Sequence, residues 1–316
     1  MRKIALEEHF TAPEVNKYVA KPPRRDTISA DIEKRLADLG QLRLETMDKA
    51  GIDLAVLSVT APGVQAEPDA KTAIRVARSA NDLLAREVQK QPKRYAGFAH
   101  LAMQDAAAAA NELQRAVKEL QFKGALINGQ TAGHYLDEDR YLPFWERVQE
   151  LDVPVYLHPG DLADHPAMFA ARPELNGATW AWTVETATHA LRLVFGGTFK
   201  RFPKLKLILG HMGETLPFLL WRLDSRWKLL SGEDIPAGWL PSDIIKRNIV
   251  ITTAGVCAHG PLIEAIGALG EDSVMFSVDY PYEDSQVAAD FIDSAPISEA
   301  VRAKVCHVNA ERLLRL

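Results

Sequence analysis

Cysteine is nearly absent: Cys257 and Cys306 are the two in a chain of 316 residues. Two thiols build no disulfide framework, and no Cys-x-x-Cys pair is present. Charge of one sign is not concentrated either. The formal net charge is −5, spread along the chain without a basic run, so nucleic acid and anionic membranes are poor partners. No apolar run approaches the ~20 residues that a membrane span needs. Arg2 and Lys3 are followed by only a few apolar residues before Glu7, too few for a secretory leader. A phosphate-binding glycine loop and a G-x-S-x-G elbow are missing as well. These absences describe a soluble, cytoplasmic protein. What is present is apolar mass, 47% of the chain, enough for one large core. No Gly/Ser/Pro-rich linker divides it, so residues 1–316 read as a single domain.

Short apolar runs alternate with segments of helical spacing from end to end. The runs are 3–10, 54–62, 95–102, 124–130, 153–160, 205–213, 249–255 and 273–281. Helical spacing fills 31–51, 71–90, 105–120, 140–151, 179–195, 214–230 and 260–269. Near-continuous apolar strands imply a sheet buried on both faces, hence parallel. Eight strand–helix units in one domain predict an α/β fold of the (β/α)8 barrel type, with a doubly wound open sheet as the alternative.

Several runs begin apolar and end in chemistry. The first ends in Glu7, Glu8 and His9, the fourth in Asn128, the fifth in His158 and the sixth in His211. Thr252 and Thr253 lie on the seventh, and Asp279 ends the eighth. In a barrel these ends share one rim, where active sites of this fold lie. Glu7 and His9 are two apart, so on a strand both face the same side and Glu8 the other. With His158 and Asp279 they make a two-nitrogen, two-oxygen set suited to one divalent ion, Mn²⁺ or Zn²⁺. Two carboxylates offset the ion's charge, which favours chelating substrate oxygens over generating hydroxide. Glu214 follows His211 by three residues, at the predicted start of a helix, close enough to hold one ring nitrogen. The other nitrogen is then free to exchange a proton with Asp279.

A single histidine ending a buried strand is more often structural than a ligand; it is the convergence of four such strand ends that points to a metal. The remaining histidines lack such company. His100 ends the third run without a partner spacing. His134, His165 and His259 fall in loops or near turns, while His189 and His307 read as structural. The aromatic run at 179–184 (TWAWTV) reads as helix packing or a subunit contact, and PPRRD at 22–26 as a solvated loop.

Taken together, "ALEEHF", "YLHP", "LGHMGE" followed by "LPFLLWRLD", and "FSVDYPYE" resemble the amidohydrolase-related decarboxylases. The branch most similar acts on γ-resorcylate (2,6-dihydroxybenzoate) and 2,3-dihydroxybenzoate. The likeness covers nearly the whole chain. It implies a (β/α)8 barrel, metal ligands at Glu7, His9, His158 and Asp279, a proton-handling group of Asp279, His211 and Glu214, and no organic cofactor. It also implies a small aromatic carboxylic acid as substrate, aromatic catabolism as the setting, and a homo-oligomer, dimer or tetramer. Arg222 and Asn128 match positions that line or support the substrate pocket. Tyr282 stands where phenylalanine is common, and the segment after the fourth run is shorter than in the γ-resorcylate enzymes. No lysine sits on the fourth strand to bridge a second metal, so one ion is expected. The implied reaction is non-oxidative decarboxylation of an ortho-hydroxybenzoate, reversible as phenol carboxylation. Hydrolysis of a lactone, ester or amide on the same barrel is the alternative, and a non-catalytic ligand-binding barrel the second.

Overall fold

The computed structural model describes residues 1–19, 27–164, 166–231 and 235–316; His165 and the PPRRD segment lie outside them. Every apolar run forms a strand. In chain order these are β1 (Ile4–Phe10), β2 (Leu54–Val59), β3 (Tyr95–Gly97), β4 (Ala99–His100), β5 (Ala125–Asn128), β6 (Val155–His158), β7 (Leu207–Leu209), β8 (Ile249–Thr252) and β9 (Val274–Met275). All ladders are parallel, in two sheets ordered β1-β2-β3 and β4-β5-β6-β7-β8-β9. β3 and β4 are one stave interrupted at Phe98. The Phe98 N–H donates back to Leu57 O at 2.9 Å, and that of Ala99 forward to Gly124 O at 2.8 Å. The opposite seam closes where Glu8 bridges Tyr280 in parallel, with His9 N–H to Tyr280 O at 2.7 Å and Asp279 N–H to Glu7 O at 3.1 Å. Both seams are joined, so the eight staves form a barrel rather than an open sheet.

Ile4, Leu6, Val56, Phe98, Leu126 and Ile208 fill the interior, and Ala310 and Leu314 from the C-terminal helix plug its lower end. A larger cluster packs the outward strand faces against the helices. The helix Ala70–Lys90 buries Ala73, Val76, Ala77, Ala80 and Leu84, the three-to-four spacing of an amphipathic face, and Asp69 caps it by accepting from Thr72 N–H at 2.8 Å. Segment 31–51 is two helices, Thr27–Ala37 and Gln41–Ala50, rather than one. The Asp38 carboxylate takes the N–H groups of Gly40 and Arg43 between them, which stabilises a turn over a continuous helix. Among the described residues no helix is long and apolar enough to cross a membrane.

One irregularity decides what the barrel mouth presents. The β1–β2 register slips between Ala5 and Glu8, a β-bulge. Strict alternation would turn Ile4, Leu6 and Glu8 inward and Glu7 and His9 outward. The extra residue resets the pattern, so Ile4 and Leu6 fill the interior while Glu7 and His9 also face it. Ser277 Oγ accepts the N–H groups of both Leu6 (3.2 Å) and Glu7 (2.6 Å), the two residues at the slip. Glu8 turns outward as expected and is buried there, its Oε1 accepting from Val278 N–H at 3.0 Å and Ser277 Oγ at 3.2 Å. Burial pushes the Glu8 carboxyl up to about 8.

Candidate active site

The rim brings four side chains to one point. One ligand atom each from Glu7, His9, His158 and Asp279 lies within 4.8 Å of the others. Glu7 Oε1 is 3.2 Å from His158 Nε2, and Asp279 Oδ1 is 3.2 Å from His9 Nε2. His158 Nδ1 lies 2.8 Å from Pro159 O; a carbonyl only accepts, so the proton sits on Nδ1 and the Nε2 lone pair faces the cluster. Ser58 Oγ holds His9 Nδ1 at 3.2 Å, which leaves its Nε2 facing inward too. Glu7 Oε1, His9 Nε2 and Asp279 Oδ1 are buried with no hydrogen-bond partner. Each such atom costs about 1–3 kcal/mol, and a single cation would satisfy all three. Two imidazole nitrogens and two carboxylate oxygens fit a first-row divalent ion.

Burial pushes the Glu7 carboxyl up to about 7, His211 and His9 pulling the other way. Burial, with His9 beside it, holds His158 well below the usual imidazole range, the neutral form a ligand needs.

His211 and Glu214 pair through His211 Nδ1 and Glu214 Oε1 at 2.7 Å. Glu214 does not open a regular helix. His211, Met212, Gly213, Glu214 and Thr215 all have positive φ, a left-handed turn with the Gly213 N–H bonded to Gly210 O at 2.7 Å. Left-handed backbone at non-glycine residues is strained; here the turn folds Glu214 back beneath the ring. His211 Nε2 faces Asp279 Oδ2 at 3.6 Å and Glu7 Oε1 at 3.8 Å. Burial opposes a charge on His211, but Glu7, Glu214 and Asp279 together hold it well above the usual imidazole range. Burial alone would raise Asp279, yet the imidazoles of His211 and His9 beside it keep it well below the carboxylate range. Asp279 thus divides its oxygens: Oδ1 towards the cluster, Oδ2 towards His211.

Asn128 pairs with His158 across β5 and β6. Its Nδ2 donates to Pro62 O at 3.3 Å, and its Oδ1 is buried without a partner. Tyr282 sets its ring edge against His9, centroids 5.8 Å apart, with its hydroxyl 2.5 Å from Thr60 Oγ1. Arg222 does not join the group: it is exposed on the helix Leu220–Ser231 and makes no hydrogen bond or ion pair among the described residues. Of the aromatic run, Trp182 reaches the rim, 6.3 Å from the His158 ring and bonded to Asp161 Oδ1 at 2.7 Å. Tyr156 was not anticipated. It is fully buried, donates to Glu7 Oε2 and lies 2.8 Å from Thr252 Oγ1. The signal is its position two residues before His158, hence on the same inward face. Thr253 instead faces outward and pairs with the Ser277 backbone. The other described histidines are structural: His100 accepts from Val64 N–H, His189 from Leu136 N–H, His134 and His307 pair with glutamates, and His259 stacks on Phe291.

A parallel barrel with a mixed His/carboxylate rim defines a metal-dependent enzyme class, and comparison agrees. The amidohydrolase family model matches residues 9–316, and the chain belongs to that family. It is 44% identical to the gamma-resorcylate decarboxylase of Rhizobium sp. (strain MTP-10005), covering 99% of this chain and 98% of that one. A solved 2,6-dihydroxybenzoate decarboxylase complexed with 2,6-dihydroxybenzoate matches with TM-score 0.94 and 42% identity over 100% of both chains. A dihydroxybenzoic acid decarboxylase from Polaromonas sp. JS666, with bound manganese and the inhibitor 2-nitroresorcinol, matches with TM-score 0.92 and 44% identity, covering 99% and 97%.

Proposed function

We propose that this chain is a Mn²⁺-dependent decarboxylase that removes CO2 without oxidation from an ortho-hydroxybenzoate, the 2,6-dihydroxy acid ahead of the 2,3-dihydroxy acid. Zn²⁺ is the alternative ion. The observation that carries the reading is the four-residue cluster with three orphaned ligand atoms beside the His211–Glu214 pair, in a chain 44% identical from end to end to a gamma-resorcylate decarboxylase.

Glu7, His9, His158 and Asp279 would hold the divalent ion, which would supply Lewis-acid charge for the oxygens of the substrate's carboxylate and ortho hydroxyl. The remaining work falls to side chains. The difficulty is the electron pair that CO2 leaves on an aromatic carbon. Protonating that carbon first avoids a free aryl anion. His211 is held above the usual imidazole range and Asp279 below the carboxylate range, which supports a resting proton on His211 that is exchanged with Asp279. Glu214 holds the ring so that Nε2–H faces Asp279 Oδ2. The proton passes through Oδ2 to the carboxylate-bearing carbon. The C–C bond then breaks, its electrons restore the aromatic ring, and CO2 leaves. Solvent reprotonates His211; run backwards, the site carboxylates a phenol. Asn128 and Tyr282 line the pocket.

Phe218, Leu219, Trp221, Leu229 and Leu230 are exposed apolar side chains of one short segment, with Trp221 at 78% and Leu230 at 77%. Apolar exposure of this kind supports a homo-oligomer, dimer or tetramer, in the cytoplasm. Arg222, which the resemblance expects to line or support the pocket, lies on the same segment.

The deciding experiment is a hydroxybenzoate panel with Mn²⁺-loaded protein, read by ultraviolet absorbance and CO2 release. Acids with an ortho hydroxyl should turn over. Those with only a para hydroxyl should be slower by orders of magnitude, lacking the second chelating oxygen and its alignment of the ring. No CO2 from any ortho-hydroxybenzoate, with hydrolysis of a lactone or ester panel, would overturn the reading in favour of a hydrolase.

A further inference from the structure

We infer that Tyr156, Thr252 and Gly210 form a seat that holds Glu7 as a one-oxygen ligand and so tunes which divalent ion the site accepts. The inference rests on the metal reading above and extends it to residues outside the ligand set.

The hydrogen-bond directions follow from chemistry. Glu7 Oε2 accepts, so Tyr156 spends its single proton there. Thr252 Oγ1, 2.8 Å from the same phenol oxygen, must therefore be the donor of that bond. The chain runs one way, from Thr252 through Tyr156 to Glu7. It occupies Oε2 and leaves Oε1 buried, unpaired and aimed at the cluster. Tyr156 can do this because it shares the inward face of β6 with His158, one residue pair deeper in the barrel.

Space makes the second, independent observation. A Cβ at Gly210 would stand 2.5 Å from Glu7 Oε2 and 3.1 Å from the Tyr156 hydroxyl oxygen. The backbone of Gly210 has ordinary φ of −72°, so its glycine is required by the carboxylate and phenol rather than by the turn. Any side chain there would push Glu7 out of its seat.

A carboxylate bound through one oxygen suits an ion of six-fold, strict geometry. Ca²⁺ takes six to eight oxygens and readily uses both oxygens of one carboxylate. By holding Oε2, the seat disfavours that two-oxygen mode. Freed of it, Glu7 can swing to offer both.

The test is Tyr156→Phe, which removes one oxygen from a buried site and leaves the ring. Mn²⁺ affinity is measured on chelator-stripped protein by the loss of the free-ion electron paramagnetic resonance signal, and Ca²⁺ affinity by competition against Mn²⁺. Outer-shell partners of metal ligands typically contribute about 10–100-fold in affinity. A loss of that order for Mn²⁺, with Ca²⁺ affinity unchanged or raised, is the expected result. Thr252→Val should show a smaller change in the same direction, and carries the test should the tyrosine variant not fold. Thermal melting in EDTA, alike for parent and variant, establishes an intact barrel. Unchanged Mn²⁺ affinity, or an equal loss for both ions, overturns the seat. A parent protein that binds no Mn²⁺ overturns the metal reading itself.

Discussion

Asp279→Asn separates the two jobs assigned to one side chain. Oδ1 lies 3.2 Å from His9 Nε2, inside the cluster, and Oδ2 lies 3.6 Å from His211 Nε2. An amide can keep an oxygen towards a metal, but then its NH2 faces His211, which has no acceptor left on that side. No proton can pass. General acid catalysis of this kind is worth about 10²–10⁴-fold, or about 3–5 kcal/mol on the barrier. The variant should therefore lose at least about a hundredfold in kcat, with KM for the aromatic acid nearly unchanged because the chelating oxygens remain. Loss of one negative charge also weakens metal binding, so the assay must run at saturating Mn²⁺ with metal content measured on the same sample. Steady-state decarboxylation followed by absorbance gives both constants, and thermal melting checks the fold. A fully metal-loaded variant with kcat close to the parent's would refute the proton path.

Three further outcomes follow from single contacts. Gly210→Ala should fold yet lose metal and activity together, since its Cβ would lie 2.5 Å from Glu7 Oε2; elemental analysis checks it. Stripped protein should melt higher as Mn²⁺ is restored, by about 2.7 kcal/mol of stability at a hundred times Kd, because an ion satisfies the buried atoms of Glu7, His9 and Asp279. His100 governs an acid limb of stability: burial lowers its imidazole from 6.5 to about 4. Unfolded chain takes up that proton near pH 6.5 and the folded chain only near 4, so stability is full above 6.5, falls between the two, and levels off below. The gap corresponds to about 3 kcal/mol. Urea titrations at several pH values should show that limb, and His100→Gln should flatten it.

The fold was legible because buried parallel strands are written as apolar runs, and all eight runs proved to be staves. What the runs could not show was where hydrogen bonding starts and stops. The eighth run reads as nine residues, but its ladder covers only Val274–Met275; beyond it the chain turns, with Asp279 at φ of +79°. Nor could they show barrel closure, which rests on backbone pairing of Glu8 with Tyr280 across the whole length of the sequence.

The candidate metal ligands were legible for a simpler reason: chemistry restricts them to few residue types, and each stands in or at the end of an apolar run. Their supports are not restricted in that way. Ser58, Ser277, Thr252 and Tyr156 are common residues in apolar runs, and only three-dimensional proximity distinguishes them from packing. The bulge in β1 is the sharpest case. Glu-x-His was read as two inward side chains, which is the outcome, yet the same alternation applied from Ile4 would have faced them outward. Ile4, Leu6, Glu7 and His9 can all face inward only because one extra residue is inserted and Ser277, 270 positions away, takes the N–H of Glu7. A site at the end of a strand therefore depends on an irregularity that its own local pattern argues against.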